Sequence, residues 1–182
     1  MIDPKSIKPN ATVLDVTAGN RRMWGKRWNN PHVIFLDKVP GLRIQPDVVG
    51  VWEALPFPDD SFQLIVFDPN YYTRTGTPAP LWYRIHHGDP LERDGSWWGK
   101  PFNTYHEMCT TFVKAAREFR RVAPRMVMKW TDSQHPLPKV LTLFLPYWIP
   151  LYTKKVTTGS FKKNATGSTY WVSLIRKEEI ML

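Results

Sequence analysis

Residues 62–72 read FQLIVFDPNYY, and the second half of that stretch decides how the chain is read. Phe62 to Phe67 is a short apolar run of the kind that forms a strand buried on both faces. It stops on Asp68-Pro69, so a carboxylate and a carbonyl stand at the strand's carboxyl end, and the proline contributes no N–H. In an open α/β sheet that end is where ligands bind. An exocyclic amino group presented there can give one hydrogen to Asp68 and the other to the Pro69 carbonyl, which aims the nitrogen lone pair at an electrophile. Tyr71 is placed to stack on a base, Tyr72 follows it, and Asn70 adds an amide. The other reading of the same residues is a strand followed by a tight turn with two surface tyrosines.

Upstream, residues 12–17 (TVLDVT) form a β-rich run that leads into AGNRRMWG, and residues 32–37 (HVIFLD) form a second run ending on Asp37. Asp15 at the end of the first strand, Thr17 and Gly19 in the turn, and Asp37 at the end of the next strand make a nucleotide-type arrangement. The glycine lets backbone approach a ligand and the second acid can take both ribose hydroxyls. Gly19 and Gly25 are the two glycines here, so the three-glycine dinucleotide fingerprint is absent. An ordinary βαβ turn is the alternative.

Downstream, residues 73–103 form a long loop rich in Gly, Pro and Trp, a length that is usually functional. Thr104 and Glu107 make a capping box for a helix over 104–121, with Met108, Phe112, Ala115, Ala116, Phe119 and Val122 on its apolar face. Strands follow at 125–130 (RMVMKW), 148–152 (WIPLY) and 169–175 (TYWVSLI). A helix is expected near 138–145, and a short strand at 47–51. The basic linker TKKVTTGSFKKNATGS joins the last two strands, which read as a hairpin. Strands alternating with helices, closed by that hairpin, indicate a mainly parallel doubly wound α/β sheet with an antiparallel C-terminal edge. One domain spanning 1–182 is expected at this length.

The chain carries a net charge of +9, nine Trp and 17 Pro. A basic surface with that much aromatic material suits a polyanion whose bases stack on rings; a basic protein with a Trp-rich core is the plainer account. Candidate nucleic-acid contacts are Tyr72, Arg74, Trp97, Trp98 and Lys129, with Lys154, Lys155, Lys162 and Lys163 on the hairpin, and Arg21, Arg22, Lys26 and Arg27 near the first turn. Cys109 is the single cysteine, which removes disulfide frameworks and Cys-based zinc sites and fits a reducing cytoplasm. His86-His87 lacks a third ligand at metal spacing, and no metal is assigned. No apolar run approaches the ~20 residues of a membrane span.

The order LDVTAG, FLD, LPFPDDSFQLIVFDPNYY, MKW, TYWV resembles the class I S-adenosylmethionine-dependent methyltransferases, and among them the amino-methyltransferases marked by [D/N/S]-P-P-[Y/F/H]. The likeness runs over residues 12–175 and is greatest to compact archaeal and phage-type members. It implies a Rossmann-like fold and S-adenosyl-L-methionine as cofactor. By position, Asp15 and Gly19 would line its methionine end with Thr17 between them. Asp37 would take the ribose, and Trp52 and Glu53 would lie near the adenine. Asp68, Pro69, Asn70 and Tyr71 would be catalytic, with Asp68 also at the cofactor. Asn70 replaces the family's second proline, and Val51 stands where an acid near the adenine is common. The activity implied is methyl transfer to a base amino group, cytosine N4 in ribosomal RNA foremost, once or twice. The partner would be ribosomal RNA or a pre-ribosomal particle, and the enzyme a cytoplasmic monomer. Rival expectations are adenine-N6 or cytosine-N4 methylation of DNA, a small-molecule methyltransferase, and a non-catalytic RNA-binding protein on the same fold.

Overall fold

The computed structural model describes residues 1–40, 42–70, 73, 102–132, 134–156 and 168–180. Its strands are β1 (Val13–Asp15), β2 (Val33–Asp37), β3 (Val48–Val49), β4 (Leu64–Phe67), β5 (Arg125–Thr131), β6 (Trp148–Val156) and β7 (Thr169–Arg176). They form one sheet in the order β3-β2-β1-β4-β5-β7-β6. The first five pair in parallel, and β7 runs antiparallel between β5 and β6. The strand order reverses between β1 and β4, which brings the carboxyl ends of both to the switch point where ligands of such sheets bind.

Helix α1 (Pro4–Ile7) precedes β1, α2 (Tyr105–Val122) joins β4 to β5, and α3 (Leu137–Leu141) joins β5 to β6. Thr104 caps α2 through its hydroxyl, which accepts the Glu107 N–H at 3.0 Å. The six positions selected by helical spacing are the six that α2 buries. They meet the even-numbered face of β5 (Met126, Met128, Trp130) and, across it, Val172 and Leu174 of β7, all at most 2% exposed. Phe67, at the end of β4, sits at the centre with no exposed surface. Its ring lies 5.1–6.1 Å from those of Phe119, Trp52, Phe112 and Phe144.

The other face is covered differently. The connection between β1 and β2 holds only 3-10 turns over Arg22–Arg27, broken at Gly25 (φ 52°, ψ −122°). Left-handed backbone at Arg21 and Gly25 interrupts any run long enough to propagate a helix. On that side of β5 and β7, Val127, Lys129, Thr131, Trp171 and Ser173 are only half-buried. The helix expected over 138–145 is also shorter than its pattern. Hydrogen-bonded turns replace it after Leu141 and deliver Phe144 and Trp148 to the core. No described helix is long and apolar enough to cross a membrane.

Candidate active site

The candidate site is built on the ends of β1, β2, β4 and β5. The turn after β1 carries Gly19 at φ +48°, a left-handed conformation that costs glycine nothing. Its N–H donates to Asp37 Oδ2 at 2.9 Å, and the Val39 N–H donates to Asp37 Oδ1 at 3.0 Å. The carboxylate at the end of β2 is therefore oriented by main chain on both sides, and each oxygen retains a second lone pair.

Asp15 is used inward. It is 1% exposed, accepts the Trp24 indole N–H at 2.7 Å, and accepts both the N–H and the hydroxyl of Thr17. Burial pushes its carboxyl up to about 6, against the lowering effect of those hydrogen bonds. The Thr17 hydroxyl in turn accepts the Asp68 N–H at 2.8 Å. A chain from Asp68 through Thr17 to Asp15 thus locks the end of β4 onto the first turn.

Asp68 lies beside Lys129 because β4 and β5 pair in parallel with Phe67 opposite Met128. Lys129 Nζ donates to Asp68 Oδ2 at 2.7 Å; the two side chains keep 33% and 26% of their surface exposed. Burial raises the Asp68 carboxyl above the usual carboxylate range, and the Lys129 ammonium opposes that rise. Oδ1 of Asp68 has no hydrogen-bond partner among the described residues, and neither has the Pro69 carbonyl. Two acceptors that are adjacent in the chain are left for a ligand.

Thr73 is held by Gln134 and His135, and the part played by Gln134 is one that sequence reasoning missed. Gln134 forms a two-bond ring with the main chain of buried Thr73, accepting its N–H at 2.7 Å and donating to its carbonyl at 3.1 Å. Thr73 Oγ1 lies 3.0 Å from His135 Nε2. Trp130 donates to the His135 carbonyl, and the imidazole packs 4.8 Å from the Tyr105 ring. Burial lowers the His135 pKa, with the Lys139 charge a smaller contribution. His135 is thereby an anchor of the β5–α3 turn. A histidine before Pro136 reads more readily as a turn residue than as a catalyst, and the structure bears that out.

A cavity of about 240 Å³ opens beside β3, lined among others by Lys38, Trp52, Glu53, Phe102 and Glu107. Trp52 is fixed there by donating its indole N–H to the Val16 carbonyl at 2.7 Å. Tyr71, Tyr72, Arg74, Trp97, Trp98, Lys162 and Lys163 lie outside the described residues. Lys154 and Lys155 do not belong to a linker: β6 continues through Val156, so both stand on a strand, on opposite faces. Arg21 is not a surface charge either. It is 5% exposed, donates to the Gln45 carbonyl at 2.7 Å and covers the Phe35 ring at 4.1 Å, bracing the β1–β2 connection.

The strand order, with a reversed β7 inserted next to β5, defines the Rossmann-like class I methyltransferase fold. Solved structures share it. One is a TehB-like SAM-dependent methyltransferase from Corynebacterium glutamicum, with a TM-score of 0.54 and 14% identity over 92% of this chain and 81% of that one. Another is the N-methyltransferase NodS from Bradyrhizobium japonicum, with a TM-score of 0.52 and 11% identity over 91% and 85% of the two chains. NodS has also been solved with S-adenosyl-L-homocysteine bound. No family model and no curated protein matches the sequence.

Proposed function

We propose that the protein is an S-adenosyl-L-methionine-dependent methyltransferase acting on the exocyclic amino group of a nucleic-acid base, with cytosine N4 of ribosomal RNA as its target. The observation that carries this is Asp68. It is a carboxylate at the switch point of a class I methyltransferase sheet, held on one oxygen by Lys129 and, among the described residues, open on the other, next to a proline carbonyl that is open in the same sense.

The residues present suit the cofactor. Asp37, with a free lone pair on each oxygen, fits the two ribose hydroxyls, and the Gly19 turn admits close backbone approach. The cavity beside Trp52 and Lys38 offers an aromatic and cationic wall to an adenine ring. When bound, S-adenosyl-L-methionine supplies a methyl group activated by a positively charged sulfur.

The chain's own contribution is to the nitrogen. Asp68 Oδ1 and the Pro69 carbonyl accept the two amino hydrogens and draw the nitrogen out of conjugation with the ring. The Thr17 brace holds those acceptors in place. The proton that the methylated nitrogen releases passes to Asp68, whose raised proton affinity fits it to receive one. Lys129 favours the ionised form of the carboxylate and fixes its orientation beforehand. The net charge of +9 supports an RNA partner, as free ribosomal RNA or an assembling particle.

The test is mass spectrometry of nucleosides digested from total RNA and DNA of cells with and without the gene. Loss of N4-methylated cytidine from ribosomal RNA is expected, and the product mass gives the number of methyl groups. Loss of N6-methyladenine from DNA would assign a DNA base instead, and no change in either nucleic acid would refute the proposal.

A further inference from the structure

The half-open face of the sheet carries a row of residues that no local motif reveals. Lys129 lies directly opposite Trp171 in the β5–β7 pairing, and Trp171 directly opposite Lys154 in the β6–β7 pairing. Opposed residues of antiparallel strands project from the same face. The Lys129–Asp68 bond adds Asp68 to that side. The row therefore runs Asp68, Lys129, Trp171, Lys154 across four strands, about 14 Å from the catalytic carboxylate to the edge of the sheet.

Three features distinguish this row from ordinary surface. Trp24, Trp52, Trp130 and Trp148 each spend the indole N–H on a protein acceptor. The Trp171 side chain makes no hydrogen bond or ring contact with the described residues, and it is half-exposed. The row alternates cation and aromatic, and its single carboxylate is already paired with Lys129. It is also flanked by hydroxyls rather than charges: Thr131 and Thr169 on one side, Ser173 and exposed Tyr152 on the other. A second copy of this basic chain would meet Lys129 and Lys154 with repulsion, whereas a polyanion with flat bases meets them with attraction.

We propose that this row is the track for the single-stranded RNA next to the target nucleotide. The target base is held at Asp68, its neighbour stacks on Trp171, and the phosphate beyond pairs with Lys154. The track presupposes the nucleic-acid substrate proposed above and adds which side of the sheet the strand follows. A duplex would not fit, because its bases are stacked on one another and unavailable to Trp171.

The experiment titrates a short fluorescein-labelled oligocytidylate, its deoxy counterpart and an RNA duplex of equal length against wild type, Trp171→Ala and Lys154→Glu. S-adenosylhomocysteine affinity and the thermal midpoint of each protein report that the fold is intact. Trp171→Ala should weaken oligocytidylate binding about tenfold. Lys154→Glu sits on an exposed edge and tests the track even if the Trp171 variant misfolds. It should lower the slope of log affinity against log salt by about one. Unchanged affinity and slope in both variants would overturn the track, as would tighter binding of the duplex or of the deoxy strand. Methyl incorporation into RNA is read separately. If wild type methylates RNA while both variants bind as wild type does, the track alone is wrong. If wild type binds through Trp171 but transfers no methyl, the methyltransferase proposal alone is wrong. Failure of wild type to bind the oligomer overturns the track, and methyl incorporation into RNA then decides the methyltransferase proposal by itself.

Discussion

Replacing Asp68 by asparagine separates its chemistry from its structural role, because the side chain keeps its shape. The backbone bond to Thr17 is retained. The ion pair with Lys129 is lost, but both partners reach solvent (33% and 26% exposed), so the unfolding free energy should change by about 1 kcal/mol or less. The catalytic consequence is larger. Lys129 has three donors and no acceptor, so it will hold the amide oxygen of the introduced asparagine where Oδ2 now sits. That rotation points the amide NH2 at the substrate, donor against donor, where Asp68 offered a lone pair and a site for the released proton. Turnover should fall at least ~100-fold, about 2.7 kcal/mol in the barrier, with S-adenosylhomocysteine affinity little changed. The assay is transfer of labelled methyl to ribosomal RNA from cells lacking the gene. The double variant Asp68→Asn with Lys129→Met frees the amide to turn its oxygen outward, and should be more active than Asp68→Asn alone. Turnover within tenfold of wild type, or a double variant no better than the single, would refute this account of the site.

Three further outcomes are expected. Lys129→Met alone removes the charge that opposes burial, so Asp68 will take up a proton at higher pH, and the acid limb of the kcat/KM profile should move to higher pH; an unmoved limb would count against the ion pair. Asp15 binds its proton more tightly folded than unfolded, about 6 against 3.8. Its contribution to stability is therefore full below pH 4 and lost as pH rises to about 6, about 3 kcal/mol in all; denaturation of wild type against Asp15→Asn across that range should show the slope vanish in the variant. Gln134→Ala leaves the buried N–H and carbonyl of Thr73 unpaired; kcat should fall about tenfold with S-adenosylhomocysteine affinity unchanged, and equal losses in both would indicate general unfolding.

Much of the framework is legible in the chain because it rests on local periodicity. The apolar face of α2 follows from three-to-four spacing, and each strand from a short β-rich run ending in a turn. Asp15, Asp37 and Asp68 stand out as acids ending apolar runs, and the structure brings all three strand ends to one edge of the sheet. The sequence pattern misleads after Leu141, where the helix expected near 138–145 gives way to hydrogen-bonded turns. It misleads too at Lys154 and Lys155, whose Thr- and Lys-rich setting reads as a linker until pairing with β7 extends β6 over them.

By itself the sequence determined which residues could bear chemistry: a carboxylate followed by a proline after a buried strand, a glycine turn between two acids, and an excess of positive charge. These are properties of neighbours in the chain, set by steric and hydrogen-bonding preferences that act over a few residues. Only the tertiary structure decided what those groups do. Lys129 meets Asp68 across 61 residues because two parallel strands share a register. Arg21 becomes a core brace because Phe35 and the Gln45 carbonyl lie against it. Trp171 lines up with Lys129 and Lys154 because β7 inserts between β5 and β6. Strand register depends on the whole core closing at once, and no window of the chain contains it.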